Sequence, residues 1–281
     1  MNLDMAGEPP SWMNNEFLEN ALQNERNDPN IVIISSEIGA ATAAGDNYGS
    51  NMYRATVKFK TNDNLEEASV IIKALPAASE EVLKLIENSP VFKNEAHMFA
   101  VVMPEMQKLL NKVKPNAYQP FGAKHIYSSL EPRSIAIVLQ DLKREGFKLA
   151  QGDLGLDLNH GLLVMRTIAR FHACSLVLYR NDPKCLEFYE DSLQATEENT
   201  LMMNLMVSTL TSTTEEVGKW EDYKDKYYSI LKSMVNSCMQ RYISAVKRDD
   251  ASFNVLIHGD LWMKNMMFKY SEETGDVKDI R

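Results

Sequence analysis

Four residues near the end of the sequence have the types and spacing for phosphoryl chemistry. His258, Gly259 and Asp260 form a compact His-Gly-Asp, and Asn265 follows the aspartate by five positions, all within VLIHGDLWMKNMMFKY, Val255 to Tyr270. A carboxylate placed like Asp260 can accept or orient the proton of an attacking hydroxyl, and the carbonyl oxygen of Asn265 can ligate Mg2+. Lys264 would add positive charge beside a transferred group, and Trp262 is expected to pack. A core histidine at 258 and a capping role for Asp260 are the plainer alternative. The context favours chemistry: a short apolar strand, NVLI, leads in, and a hairpin follows as NMMFKY, a turn SEETGD, and VKDIR. A metal-dependent hydrolase built on His258 and Asp260 is disfavoured, because two ligands at i and i+2 without a further cluster do not make a site.

Four upstream features gain weight from their order. GDNYGSNMYR, Gly45 to Arg54, lies between two strands. Its small residues (Gly45, Asn47, Gly49 and Ser50, around Tyr48) let backbone N–H groups approach phosphate oxygens. An ordinary hairpin turn has the same composition. Lys73, in VIIKALP, shares a strand face with Ile71, opposite Val70 and Ile72, and is placed to meet phosphate oxygens or to snorkel at an edge. Glu95, early in the helix after it, could hold Lys73 in place or be simply solvated. IVLQDL, Ile137 to Leu142, is an apolar strand ending where an adenine could bond to backbone, around Gln140 and Leu142.

The elements that must position these residues follow from periodicity. PPSWMNNEFLENALQ reads as a helix opened by Pro10 and Ser11, with Trp12, Phe17, Leu18 and Leu22 on one face. Ile31–Ile34, Met52–Phe59 and ASVIIKALP read as strands. A short helix capped by Ser79 follows, then a longer one from Pro90, which Pro104 should kink or divide. KHIYSSL and SIAIVLQDL are two more strands. Beyond Leu142 the pattern turns helical. Leu158, Leu162, Met165, Ala169, His172 and Leu176 form one continuous face over Asp157–Tyr179, and helices are expected near 200–211 and 220–246. The organisation is α+β: a β-rich lobe with one main helix, residues 1–142, and a helical lobe, residues 143–281.

The net charge of −9 argues against sequence-independent nucleic-acid binding and against anionic lipid. The three cysteines, Cys174, Cys185 and Cys238, are odd in number and show no ligand spacing, so free thiols in a reducing compartment are expected. The first residues carry no basic start followed by an apolar run. Apolar runs such as Ile135–Leu139 are too short to span a bilayer. The cytoplasm is the expected location, with no membrane or nucleic-acid partner.

Taken in order, GDNYGSNMYR, VIIKALP, FKNEAHMF, IVLQDLKREGF, IARFHACS and HGDLWMKNMMF resemble the ecdysteroid kinase-like family of insects, with its CHK kinase-like domain. That family is related to choline kinases and aminoglycoside phosphotransferases. The matching segments extend over about residues 12–281, and LQDLKREGF and HGDLW are the family-specific parts. The resemblance implies a protein-kinase-like two-lobed fold that holds ATP and Mg2+ and passes the γ-phosphoryl to the hydroxyl of a small molecule. In that scheme Gly45–Ser50 covers the phosphates, and Lys73 contacts them, braced by Glu95. Backbone around Gln140–Leu142 holds adenine, Asp260 is the catalytic carboxylate, and Asn265 is a metal ligand. His258 orders the loop, and His172 is structural.

Three departures modify that expectation. Gln140 stands where relatives often carry Glu, and Met263 and Lys264 where smaller or amide residues are common. A second Mg2+-binding Asp is expected on the strand after VKDIR, and the sequence ends at Arg281 before it, with Asp276 and Asp279 poorly placed to substitute. From this, weakened ATP and Mg2+ binding and weak or no transfer to a small-molecule alcohol are expected. A non-catalytic binding or regulatory protein, with a protein partner at an exposed face, and a fragment of an active kinase are the alternatives.

Overall fold

The computed structural model describes residues 8–42, 50–62, 64–75, 90–132, 134–150, 155–187, 189, 196, 199–247, 249 and 251–281. They form two compact units, Met1–Leu186 with Val255–Arg281, and Glu187–Asn254. The helix expected at Ser79 and the turn residues Gly45, Asn47, Tyr48 and Gly49 lie outside the described residues.

In the first unit, helix α1 (Asn15–Arg26) starts at Asn14, whose side-chain oxygen accepts the Phe17 N–H at 3.1 Å. Pro10 and Ser11 do not open it. They belong to a turn in which the Met13 N–H donates to the Pro10 carbonyl. The Asn side chain caps as well as Ser does, and this later start lets Trp12 meet the Phe17 ring edge-on at 5.1 Å. Strands β1 (Val32–Ala40), β2 (Asn51–Thr61), β3 (Asn64–Ala74), β4 (His125–Ser129) and β5 (Ala136–Gln140) form one antiparallel sheet in the order β1-β2-β3-β5-β4.

Alternation gives this sheet two different faces. Tyr53, Ala55, Val57 and Phe59 of β2, Val70, Ile72 and Ala74 of β3, and Ala136 and Val138 of β5 pack with Leu18, Ala21 and Leu22 of α1. The intervening residues face the other way, where Ile135, Ile137 and Leu139 pack with Phe92 and Ala96 of helix α2 (Pro90–His97). The long helix is divided just before Pro104, as expected, although the helical path continues. A π-helical turn, Met98–Val102, joins α2 to α3 (Met103–Val113), and the Met103 N–H donates five residues back to the Met98 carbonyl. A proline clashes with the carbonyl four residues before it, and the wider turn makes room for it.

Helix α4 (Leu158–Asn181) is capped by Asp157, which accepts the His160 N–H and meets its Nδ1 at 2.8 Å. His160 Nε2 meets the Tyr270 hydroxyl at 2.9 Å, fastening α4 to the small sheet β6 (Lys148–Leu149), β7 (Met267–Tyr270) and β8 (Val277–Ile280). The expected hairpin is β7 and β8, while β6 was too short to show in the sequence. The NVLI segment forms no strand.

The expected apolar face of α4 is present but is not the buried one. Leu158, Leu162 and Met165 are exposed, whereas Val164, Phe171, Cys174, Ser175 and Leu178 are buried. An 18-residue window of this 24-residue helix has a mean hydropathy of 1.4, so by length and composition alone the helix is long and apolar enough to cross a membrane, which is weak evidence because packed helices of other proteins pass the same test. Its Phe171 ring meets Phe121 edge-on, and Cys174 lies 4.0 Å from the Met106 carbonyl of α3, so one stripe is packed on protein.

The second unit holds helices α5 (Thr200–Val217), α6 (Lys224–Met234) and α7 (Cys238–Val246). The stretch expected over 220–246 is split by a 3-10 turn at Val235–Ser237. All three cysteines are free.

Truncation on the two faces of α4 should separate sharply. Phe171→Ala should cost about 3–5 kcal/mol through the cavity it leaves, whereas Met165→Ala should stay within about 0.5 kcal/mol. Urea unfolding of each variant beside the parent measures the difference.

Candidate functional site

Lys73 lies on the β3 face turned away from α1, opposite Met52 of β2 and Ile137 of β5. Its ammonium is 2.7 Å from both carboxylate oxygens of Glu95 on α2, with both side chains about one-quarter exposed. Phe92, one helical turn before Glu95, packs against the same sheet face and lies 5.9 Å beneath the Lys73 ammonium. The Lys73–Glu95 pair expected from the sequence is therefore formed. A partly exposed pair of this kind adds little stability, but it fixes where the ammonium points.

The loop at His258–Asn265 is held by its own polar groups. Asn265 Nδ2 donates to the Asp260 carboxylate at 2.7 Å and to the Asp260 carbonyl at 2.9 Å. That use of the amide nitrogen leaves Asn265 Oδ1 as the atom able to ligate a cation. The Asp260 N–H donates to His258 Nδ1 at 3.3 Å, as a neutral imidazole allows. Protein around the ring pushes the His258 pKa below the ordinary value, while the charges of Asp260 and Glu95 pull it up. His258 as a whole residue remains exposed, and the Glu95 charge is near enough to act on the ring. Gly259 has φ +81, a conformation that costs other residues energy. Trp262 does not pack as expected: it is 40% exposed, with the Lys264 ammonium 5.8 Å from its ring.

The approach to this loop is anchored from α4. Ser175, fully buried, accepts the Leu256 N–H on its hydroxyl at 3.1 Å and donates to the His172 carbonyl. That hydrogen bond holds the NVLI segment, which forms no strand. Ser175 went unnoticed in the sequence because a serine within a helix carries no pattern. The His172 carbonyl accepts that Ser175 hydroxyl, and the His172 ring lies edge-on to Phe171 at 6.3 Å.

At the end of β5, Gln140 is tied on both sides. Its N–H donates to the Lys124 carbonyl at 2.9 Å, its side-chain oxygen accepts the Lys124 N–H, and its amide nitrogen bonds Glu145. The Leu142 carbonyl accepts the Phe147 N–H at 3.1 Å. Any adenine contact through Gln140 thus falls to its carbonyl. Between these two residues lies Asp141, which the sequence reading passed over. Its buried carboxylate accepts from Arg54 Nε at 2.7 Å and Nη2 at 3.3 Å, from the Ser69 hydroxyl at 2.7 Å, and from the Lys143 N–H at 3.2 Å. Burial alone would raise its pKa, but the bonds from Arg54 and Ser69 outweigh burial and hold it below the ordinary aspartate value. Ser50, at the start of β2, is buried. Asp279 is engaged by Arg281 at 2.8 Å.

The donors suit a magnesium nucleotide. Asp260 and Asn265 offer hard oxygen atoms, and Lys73 a cation. Among the described residues no group of three His, Cys, Asp or Glu side chains could hold a metal alone, so Mg2+ here would draw its remaining ligands from phosphates and water, its usual manner of binding.

A β-rich N-terminal region bearing a Lys–Glu pair, a helical C-terminal region and a His-Gly-Asp loop with Asn define an α+β protein of the kinase-like class. A model of the ecdysteroid kinase-like family matches residues 44–281, and the chain belongs to that family. No curated protein and no solved structure matches it.

The low folded pKa of Asp141 gives a signed expectation. Its contribution to stability is complete above the unfolded value near 3.8 and is lost as pH falls through the lower folded value. Asp141→Asn should therefore flatten the acid limb of a stability–pH curve below that value. Denaturant midpoints taken from neutral pH down to pH 3 test it, and an unchanged acid limb would count against the assignment.

Proposed function

We propose that this protein binds ATP with Mg2+ and transfers a phosphoryl group to a hydroxyl of a small-molecule alcohol, an ecdysteroid or choline-like compound. The observation that carries this reading is the joint placement of the formed Lys73–Glu95 pair and the Asp260–Asn265 pair in one compact unit, with His258 sensing charge from both. Membership of the family supports the phosphotransferase class.

Each residue then has a defined task. Lys73, its direction set by Glu95, neutralises phosphate oxygens. Ser50 directly precedes β2, and by the family resemblance the segment Gly45–Ser50, with Asn47, Tyr48 and Gly49, is assigned to the phosphates. The Gln140 carbonyl and the Leu142 backbone border the base. Asp260 holds the acceptor hydroxyl and takes its proton, and Asn265 Oδ1 ligates the metal. His258 stays neutral and fixes the Asp260 backbone. Magnesium bound here would neutralise charge on the transferred group. The cytoplasm, which supplies ATP, is the proposed setting.

A second reading, a non-catalytic binding protein, is favoured by the exposed stripe Leu158, Leu162 and Met165 on α4 and by exposed Ile257 and Leu261. Exposed apolar surface of this kind marks partner sites.

Thermal shift with ATP, with and without Mg2+, should show binding that Mg2+ strengthens, and Lys73→Ala should weaken it. Transfer from ATP to a panel of hydroxylated steroids and amino alcohols should fall by about 10²–10⁴-fold in Asp260→Ala, the range for loss of a positioned proton acceptor. ATP binding with no transfer above the Asp260→Ala level would favour the non-catalytic reading.

A further inference from the structure

We propose that Arg54, held by Asp141, whose carboxylate Ser69 also bonds, is the platform on which the nucleotide base rests, a positioning and specificity residue of the cleft. The inference rests on the nucleotide-binding reading above.

Register places the residues of this sheet face in rows. Met52, Lys73 and Ile137 make one row, and Arg54, Ile71 and Leu139 make the next. Thr56 and Ser69 begin a third, and Asp141, two residues beyond Leu139, falls beside them. Rows on one face are two residues apart, about 7 Å. A nucleotide whose phosphates meet Lys73 in the first row must lay its base further along. The second row is apolar on β3 and β5, as a base requires, yet its β2 member is an arginine.

The arginine fits there because its charge is already paired. Nε and Nη2 both donate to Asp141, a two-pronged contact that fixes the guanidinium plane. The two partners differ in exposure: the Asp141 side chain is 2% exposed and the Arg54 side chain 28%. The acid is enclosed, and the arginine keeps accessible surface. A fixed, charge-compensated guanidinium plane is a good stacking surface for an aromatic ring, and it loses little rotamer freedom when the ring arrives. Asp141 also accepts the Lys143 N–H, and its carbonyl accepts the Arg144 N–H. The platform is thereby tied to the turn after β5, where the base edge would bond to backbone. Without a base to receive, an arginine in this row would be a costly substitute for an aliphatic residue.

The test separates base from phosphate. Binding of ATP and of inorganic triphosphate, each with Mg2+, is measured by calorimetry on the full chain, with the ligand-free melting temperature recorded for each variant. Arg54→Lys keeps a cation beside Asp141. The double variant Arg54→Met, Asp141→Asn removes both charges together and leaves no buried ion unpaired. Both variants should weaken ATP binding about tenfold, the size of a lost stacking contact, and leave triphosphate binding within about twofold. Equal losses for ATP and triphosphate, or full ATP affinity in either folded variant, would overturn the proposal. A parent protein that binds neither ligand would remove the nucleotide reading and this inference with it. A parent that binds ATP keeps that reading whatever the variants show.

Discussion

The two-residue period of β3 is the constraint on which the rest of this structure depends. Val70, Ile72 and Ala74 point into the core under α1, while Ser69, Ile71 and Lys73 point to the opposite face. A slip of one residue would bury the Lys73 ammonium among aliphatic side chains and put Ile72 beside Glu95. Ionised groups are not stable in such surroundings without a partner, so the apolar packing under α1 specifies the register, and the register delivers the charge. The long β2–β3 pairing, from Asn51 opposite Ala74 to Thr61 opposite Asn64, carries that register along both strands. Stability and site geometry are here set by the same alternation.

The opposite face is arranged by charge pairs that fix direction more than they add stability. Glu95 directs Lys73, and Asp141 directs Arg54. Both acids come from outside the strands that carry their bases, one from α2 and one from the turn after β5. Each pair therefore ties a neighbouring element to the sheet. The π-helical turn at Met98–Val102 belongs to the same arrangement. It lets α2 and α3 run on through Pro104, so the helix carrying Glu95 stays continuous with the one that packs on α4. The His258–Asn265 loop is built differently, from hydrogen bonds between its own residues and one bond from Ser175.

Most of the fold was legible because it rests on local periodicity. The strands around Tyr53, Ile72 and Ile137 announce themselves by alternation, and the hairpin at β7 and β8 by its SEETGD turn. The pairing of Lys73 with Glu95 was one of two open readings of the residues and is what the family resemblance implies. What was not legible depends on partners distant in sequence. Asp141 looks like any polar residue at the end of a strand, and its importance comes from Arg54 and Ser69, which are 87 and 72 residues away. The NVLI segment has the composition of a strand but forms none, and its Leu256 N–H donates to the Ser175 hydroxyl. Asn14 rather than Ser11 opens α1, although both residue types are competent caps, because Pro10 to Met13 are taken up in a turn.

Helix α4 shows why hydrophobic pattern identifies a helix more surely than it identifies the buried side. The stripe Leu158, Leu162, Met165 and Ala169 has the cleaner four-and-three spacing, yet Val164, Phe171, Cys174 and Leu178 are the residues in the core. Periodicity reports that a face is apolar, and the neighbours decide which face they cover. Phe171 meets Phe121, Cys174 reaches α3, and Val164 packs with Phe268 and Ile280, so the covered side is chosen by the residues that flank the site. The more regular stripe remains exposed and is free for another surface. Because it is not the stripe that anchors Leu256 through Ser175, a partner bound there would leave that anchor of the Asp260 loop in place. A partner on that stripe and the hydrogen bond that holds the approach to the Asp260 loop are therefore compatible in one molecule.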